Sequence, residues 1–300
     1  MGIGDVYSVE SVPDCYYVDV GAYGTAGYGS IYMYDTEKPA IVDTGLGTNY
    51  ERILDGLEEV GIAPDELESI LLTHIHLDHA GGVGPLTDET DADVYVHTSG
   101  SKFLLDPGPL WEGTKAAVGD AIQYYTEPEP IQKERIVTVE GGDSIDLGGP
   151  TLDVHRAPGH AFHQIIFHDT HSDAVFSGDA AGIYVPAIDA VVETSPPPGF
   201  DLEQVVDDAR MIGDLDPETI CYAHFSPASA TGRIDEYVDA ITGWVEAVER
   251  KREELNDDDA VVEHFVERSD MADVWGELKA TTEVSMNVRG VMHYLDTADE

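Results

Sequence analysis

The chain predicts an α/β fold that ends in a helical appendage, and three observations carry that prediction. Apolar stretches of strand length alternate with helix-period segments over roughly the first three quarters of the chain. A string rich in metal-ligand side chains, Thr73-His-Ile-His-Leu-Asp-His79, directly follows the apolar run Ile70-Leu71-Leu72. From about Arg233 the pattern becomes helical alone. With 300 residues and 42% hydrophobic content, one large core is expected over residues 1–232, with a helical subdomain over 233–300.

Taken in order, residues 16–20, 29–35 and 39–43 read as strands, and 50–60 as a helix with Ile53, Leu54 and Leu57 inward. A strand at 68–73, a helix opening near Asp78 and a strand at 93–97 follow. Residues 114–125 are expected to be helical and to form part of a lid, because Asp106-Pro-Gly-Pro109 breaks the chain just before them. Gly141-Gly142 and Gly148-Gly149 mark turns in a meander leading to Ala157-Pro-Gly-His160. Thr194-Ser-Pro-Pro-Pro-Gly199 is a stiff loop, and Asp201 is placed to cap a helix beginning at Leu202. Beyond it, Ile234, Tyr237, Val238, Ile241, Trp244, Val245 and Val248 keep helical spacing, and shorter helices are expected over 261–266, 271–278 and 284–295. This appendage is expected to pack near the mouth of a cleft, with Trp244 and Trp275 as core anchors.

The histidine string points to metal chemistry. If the strand continues through His74 and His76, two apart, their imidazoles leave one face and share one ion. Asp78 and His79, being adjacent, diverge toward a second position beside the first, which predicts a dinuclear centre. His160, Asp179 and His224 each sit at or just past an apolar β-like run, where strand ends can converge on one sheet edge. Gly159 and Gly178 would let the backbone turn tightly there.

Five segments occur in order: Ile41-Val42-Asp43-Thr44-Gly45, the histidine string, Ala157-Pro158-Gly159-His160, Val175-Phe176-Ser177-Gly178-Asp179 and Ile220-Cys221-Tyr222-Ala223-His224-Phe225. In them the chain resembles the metallo-β-lactamase superfamily over about residues 16 to 230. The resemblance implies a four-layer αββα sandwich with metals at one edge of its two sheets. It implies that His74, His76 and His160 bind a first ion, that Asp78, His79 and His224 bind a second, and that Asp179 bridges them. Asp43 would orient the site from behind. Zinc is the default pair of ions, and iron and manganese fit the same donors. Such ions hold a hydroxide at neutral pH, because coordination lowers the pKa of water to about 7, and Asp78 would hold and steer its proton. A small-molecule thioester, lactone or amide is then the expected target.

Within the superfamily the chain looks most like the glyoxalase II-like archaeal hydrolases. Glyoxalase II itself offers glutathione a lysine a few residues beyond the bridging aspartate, and Ala180-Ala-Gly-Ile-Tyr-Val-Pro186 contains none. Quorum-signal lactonases use a tyrosine shortly after that aspartate. Tyr184 lies near that place, though not at the same step, and is the candidate substrate residue. Two other readings compete: a persulfide dioxygenase with one iron on His74, His160 and Asp179, and a non-catalytic metal-binding protein. A complete set of ligand positions favours the dinuclear hydrolase.

Charge supplies the remaining expectations. Sixty acidic residues stand against 15 basic ones, a net charge of −45. These acids are spread among well-patterned apolar segments, which is not how a disordered acidic chain is composed. Such a surface repels itself in dilute buffer and is screened in concentrated salt, so a halophile's cytoplasmic protein is expected. Nucleic acid is not an expected partner, since a phosphate backbone needs a basic track. The one concentrated basic run, Arg250-Lys251-Arg252, is flanked by Glu249, Glu253 and Glu254 and reads as a solvated face with local ion pairs. Neither a signal peptide nor a membrane-length apolar run is visible. Cys15 and Cys221 read as buried free thiols. A homo-oligomer stays open.

Overall fold

The computed structural model describes residues 2–298. Strands β1 (Val6–Ser8), β2 (Cys15–Asp19), β3 (Ser30–Tyr34), β4 (Ala40–Val42), β5 (Ser69–Leu71), β6 (Asp93–His97) and β7 (Ile136–Val139) form one sheet in chain order. Pairing is antiparallel from β1 to β4 and parallel from β4 to β7. The parallel steps need crossovers. These are α1 (Glu51–Val60), then α2 (Leu77–Ala80) with α3 (Val83–Glu89), then α4 (Ser101–Leu105) with α5 (Gly108–Val118).

The second sheet contains β8 (Ser144–Asp146), β9 (Thr151–Arg156), β10 (Ile165–Asp169), β11 (Ala174–Gly178), β14 (Thr219–Tyr222) and β15 (Ala228–Ser229), in the order β15-β14-β11-β10-β9-β8. A separate hairpin, β12 (Ile183–Val185) and β13 (Ala190–Val192), follows β11 in the chain. Helices α6 (Leu202–Asp214), α7 (Arg233–Leu255), α8 (Asp258–Val266), α9 (Ala272–Trp275) and α10 (Glu277–Ala298) complete the chain.

The period-two alternation of each strand sorts its side chains into layers. From β3, Ile31 and Met33 join the core under α1, while Tyr32 and Tyr34 enter the core between the sheets. From β11, Val175 faces α6 and α7, while Ala174 and Phe176 face the other sheet. Both strands are therefore buried on both faces, and the result is an αββα sandwich. Phe176 is buried to 1% exposure, edge-on to Tyr32 at 5.1 Å between centroids. Burying a ring of that kind contributes about 2–3 kcal/mol. Cys15 and Cys221 lie in this same layer as free, buried thiols.

Three local expectations change. β5 ends at Leu71, so His74 and His76 lie past the strand rather than on it. The helix expected over 114–125 is α5, which starts earlier and stops at Val118. Pro109 fits within its first turn, where a missing N–H is harmless, and Gly119 at φ 53 ends it before a 3-10 turn over 119–124. Finally, the helix expected over 271–278 is only α9, ended at Gly276, and the one expected over 284–295 begins at Glu277 as α10. Lys279, Glu283 and Asn287, spaced by four, are all buried, so the inward face of α10 carries polar groups beside Ala280 and Val284, which hides its start. Asp201 caps α6 as anticipated, its carboxylate accepting from the Gln204 N–H at 3.1 Å. The basic run on α7 is paired: Arg252 reaches Asp258 and Asp296, and Lys251 reaches Glu254. Among the described residues no helix is long and apolar enough to cross a membrane.

Candidate metal centre

The chain leaves β5 because Asp43 captures Thr73. The Asp43 carboxylate accepts from the Thr73 N–H at 2.8 Å and from its hydroxyl, also at 2.8 Å. His74 is thereby buried, with Nδ1 held 3.2 Å from the Thr73 hydroxyl and Nε2 facing forward. His76 occupies the position before α2 in an extended conformation, and Asp78 and His79 lie on that helical turn. Nδ1 of His79 lies 2.9 Å from Asp43 Oδ2, which aims its Nε2 at the same space.

The opposite wall comes from the second sheet. Gly159 donates its N–H to Asp208 on α6 at 2.6 Å, and a Cβ at Gly159 would lie 2.3 Å from the backbone nitrogen of Val205. Only glycine lets this loop approach α6 and set His160 at its tip. Gly178, at φ 50, packs against Thr73, where a Cβ would fall 2.8 Å from Oγ1. That contact ties Asp179 to the histidine string. His224 follows β14, its ring stacked on Tyr28 at 4.7 Å.

Three ring nitrogens converge: His74 Nε2 is 3.0 Å, and His160 Nε2 3.1 Å, from His76 Nδ1. Three nitrogens bound tetrahedrally to zinc at about 2.0–2.1 Å would be roughly 3.3 Å apart, so the spacing suits a small ion. Asp179 spans two groups. Its Oδ2 is 3.3 Å from His160 Nε2, and its Oδ1 is 3.4 Å from both His79 Nε2 and His224 Nε2. Asp78 Oδ2 lies 3.9 Å from His79 Nε2, so these two adjacent side chains converge on one position instead of diverging. Helical rather than extended backbone at 77–80 explains that correction. Ligand atoms of His74, His76 and His160, of His74, His79 and Asp179, and of Asp78, His79 and His224 each cluster within 4.8 Å.

Protonation agrees with a cation site. Burial, reinforced by neighbouring imidazoles, pushes His74 well below its ordinary value and His76 to about 3, and burial pushes His160 down as well. Neutral imidazoles keep the lone pairs that a metal needs. Burial pushes Asp179 up, but the imidazoles of His79 and His160 more than reverse this and hold it well below the carboxylate range. For His79 burial acts downward, yet Asp179 and Asp78 outweigh it and raise the imidazole, so a metal at its Nε2 must displace a proton. His79 Nε2 and Asp179 Oδ1 are buried without a hydrogen-bond partner among the described residues, a cost that a bound cation would remove. The donor set therefore fits bound metal.

Sequence comparison agrees with this geometry: a model of the metallo-β-lactamase superfamily matches residues 24–224. The chain belongs to that superfamily. A metallo-β-lactamase fold-containing protein of Sulfurisphaera tokodaii, ST1585, is 31% identical over 165 residues, 53% of this chain and 61% of its own length. The probable metallo-hydrolase YybB of Bacillus subtilis is 22% identical over 64% of this chain and 78% of its own. The chain spans about three fifths of the length of the first curated relatives it matches. In structure it is similar to the archaeal metallo-β-lactamase superfamily protein ST1585 from Sulfolobus tokodaii (TM-score 0.71, 23% identity, 94% of this chain and 99% of that one). It is also similar to the metallo-β-lactamase family protein TTHA1429 of Thermus thermophilus (TM-score 0.69, 20% identity, 96% of this chain and 95% of that one).

His76, Asp78, His160, Asp179 and His224 line a cleft of about 490 Å³. Phe103, Leu110, Val118 and Phe162 give it an apolar wall. Tyr23, Tyr28 and Tyr125 with Lys279 and Glu283 of α10 line its second-group side, and the motif reading missed all five. His163 was also missed, although it follows His160 by three; it is buried, it lines the cleft, and burial beside His76 and His160 lowers it to about 2. Tyr184 is a correction of the other kind. It does not line the cleft: its hydroxyl donates to Asp189 at 3.1 Å and its ring lies under the Arg233 guanidinium at 4.6 Å. Trp275 is buried near the site, edge-on to Tyr28.

Proposed function

We propose that this chain is a metal-dependent hydrolase of a small ester-like substrate, a thioester or a lactone, that holds two ions and works in a salt-rich cytoplasm. The observation that carries the reading is Asp179, whose two carboxylate oxygens face two different ligand groups. His74, His76 and His160 would hold one ion, Asp78, His79 and His224 the other, with Asp179 between them. Zinc suits this nitrogen and carboxylate set first, and iron or manganese suits the same donors. When bound, the ions supply Lewis acidity toward a carbonyl oxygen and a water acidified to a pKa of about 7.

The chain's own residues do the rest. Asp43 fixes the His79 tautomer by facing Nδ1, leaving Nε2 as the donor atom. Asp78 keeps 25% of its side chain exposed at the cleft, which suits a carboxylate that takes a proton from the attacking water and passes it to the leaving group. The apolar wall excludes solvent from the acyl side of the substrate.

Metal analysis of protein purified in high salt, followed by a panel of thioesters and lactones, tests the reading. About two ions per chain are expected, and Asp78→Ala should lose one of them and hydrolysis together. A single iron with undiminished turnover in Asp78→Ala would overturn the proposal.

A further inference from the structure

Two phenols meet on the cleft wall beside the second ligand group. The hydroxyl of Tyr23 lies 2.6 Å from that of Tyr125, and both residues line the cleft with Asp78 and His224. A pair of hydroxyls has two protons, and the hydrogen bond between them uses one. Among the described residues neither hydroxyl has another hydrogen-bond partner, so the second proton is free for an incoming oxygen. Burial pushes both phenols well above their ordinary value, with the Asp78 charge adding to the effect, so both stay protonated donors.

Tyr23 is held in place against its own backbone preference. It sits at φ 55, where bulky residues are outliers, and such strain persists only when the surroundings over-determine it. Those surroundings come from distant segments. The rings of Tyr28, Tyr124 and Tyr125 lie edge-on to it at 5.4, 5.8 and 5.8 Å, and the Lys279 ammonium of α10 lies 3.9 Å over its ring. Lys279 is ion-paired with Glu283, so it clamps the rings and is not a free cation for substrate.

We propose that the Tyr23–Tyr125 pair is the carbonyl-oxygen subsite: its free hydroxyl proton bonds the substrate's carbonyl oxygen as that oxygen gains negative charge, with an apolar acyl group seated on Phe103, Leu110, Val118 and Phe162. No proton is transferred; the pair acts as a fixed donor to developing charge. The assignment rests on the hydrolytic reading and names the substrate class for it, an ester or thioester of an apolar acid.

Tyr23→Phe, Tyr125→Phe and the double variant keep the rings and remove the hydroxyls. Two measurements are made at matched metal content: calorimetric binding of phenylphosphonate, an apolar oxyanion, and kcat and KM on the best ester of the panel. The double variant should bind phenylphosphonate about ten- to a hundredfold more weakly, with a similar loss in kcat and a change in KM under about threefold. Unchanged phosphonate affinity in the double variant overturns the subsite. Weakened affinity with no ester turned over by the native protein supports the subsite and sinks the hydrolytic reading instead. Should the double variant lose metal or unfold, Tyr23→Phe and Tyr125→Phe take the same measurements singly, and affinity unchanged in both overturns the subsite.

Discussion

Asp43→Asn separates two tasks that one carboxylate performs, holding the histidine loop and orienting a ligand. Asp43 sits at φ 61, a left-handed conformation that asparagine adopts as readily as aspartate, so the backbone should accept the change. With its oxygen in the Oδ1 position, the amide keeps the bond from the Thr73 N–H and turns its NH2 toward His79 Nδ1, now 2.9 Å from a carboxylate oxygen. That nitrogen must then accept, which moves the imidazole proton to Nε2, the atom aimed at Asp179 and Asp78. A protonated nitrogen cannot ligate. The opposite amide orientation spares the tautomer but orphans the buried Thr73 N–H, which costs about 1–3 kcal/mol.

The first orientation, in which the oxygen still accepts from Thr73, is therefore favoured, and the second ion should be weakened by about ten- to a hundredfold, or roughly 1.4–2.7 kcal/mol. The first ion should be weakened less, because Asp43 reaches its ligands only through Thr73, whose hydroxyl lies 3.2 Å from His74 Nδ1. Calorimetric titration of metal into stripped protein reads both affinities, and thermal unfolding of the same preparation reads the loop. Two ions bound at native affinity would refute the claim that Asp43 sets the His79 tautomer.

Two further perturbations test the rest of the molecule. With 60 acidic and 15 basic residues, the unfolding midpoint should rise from dilute buffer into molar potassium chloride, where the Debye length falls from about 10 Å at 0.1 M to about 3 Å; a salt-independent midpoint would remove the halophilic reading. Glu193 is pushed up from 4.5 to about 7 by burial, with Glu283 adding to the rise and Asn287 opposing it. Its folded value is raised, so its contribution to stability is complete below 4.5 and is lost as pH rises through 7. Glu193→Gln should flatten the fall in melting temperature between pH 5 and 8, and parallel curves for the two proteins would exclude Glu193 as its source.

How much of this was legible in the sequence depends on how locally each feature is encoded. Alternation in β3 and β11 reports two buried faces within five residues, and Asp201 announces α6 by its position alone. The candidate ligands could be named because each lies in a short string within a few residues of a strand end or on the turn that follows it. The end of β5 was not legible, since the residue that pulls Thr73 out of the strand is Asp43, thirty positions earlier. Nor was the start of α10, whose first turns bury Lys279 and Glu283 beside Ala280 and Val284.

The same contrast divides the cleft floor from its walls. A metal centre needs defined donors at fixed separations, so its residues are confined to short strings and strand ends that a reader can find. A substrate wall needs only shape and a few hydroxyls, and this one is assembled from residues 23–28, 103–125, 194–198 and 279–293. Those segments meet through contacts that leave no spacing in the sequence. Ser195 donates to Glu283 at 2.8 Å, and a Cβ at Gly290 would fall 2.1 Å from the carbonyl oxygen of Pro196, so the proline loop lies directly against α10. Tyr184 failed as a substrate residue for the same reason: its distance from Asp179 along the chain says nothing about which side of the β12–β13 hairpin it occupies. Tyrosines that do reach the cleft, Tyr23 and Tyr125, are 102 residues apart. In this chain the candidate ligands are written in local motifs, and the cleft wall in the packing of the C-terminal helix against the N-terminal loop, where Lys279 lies over the rings of Tyr23 and Tyr28.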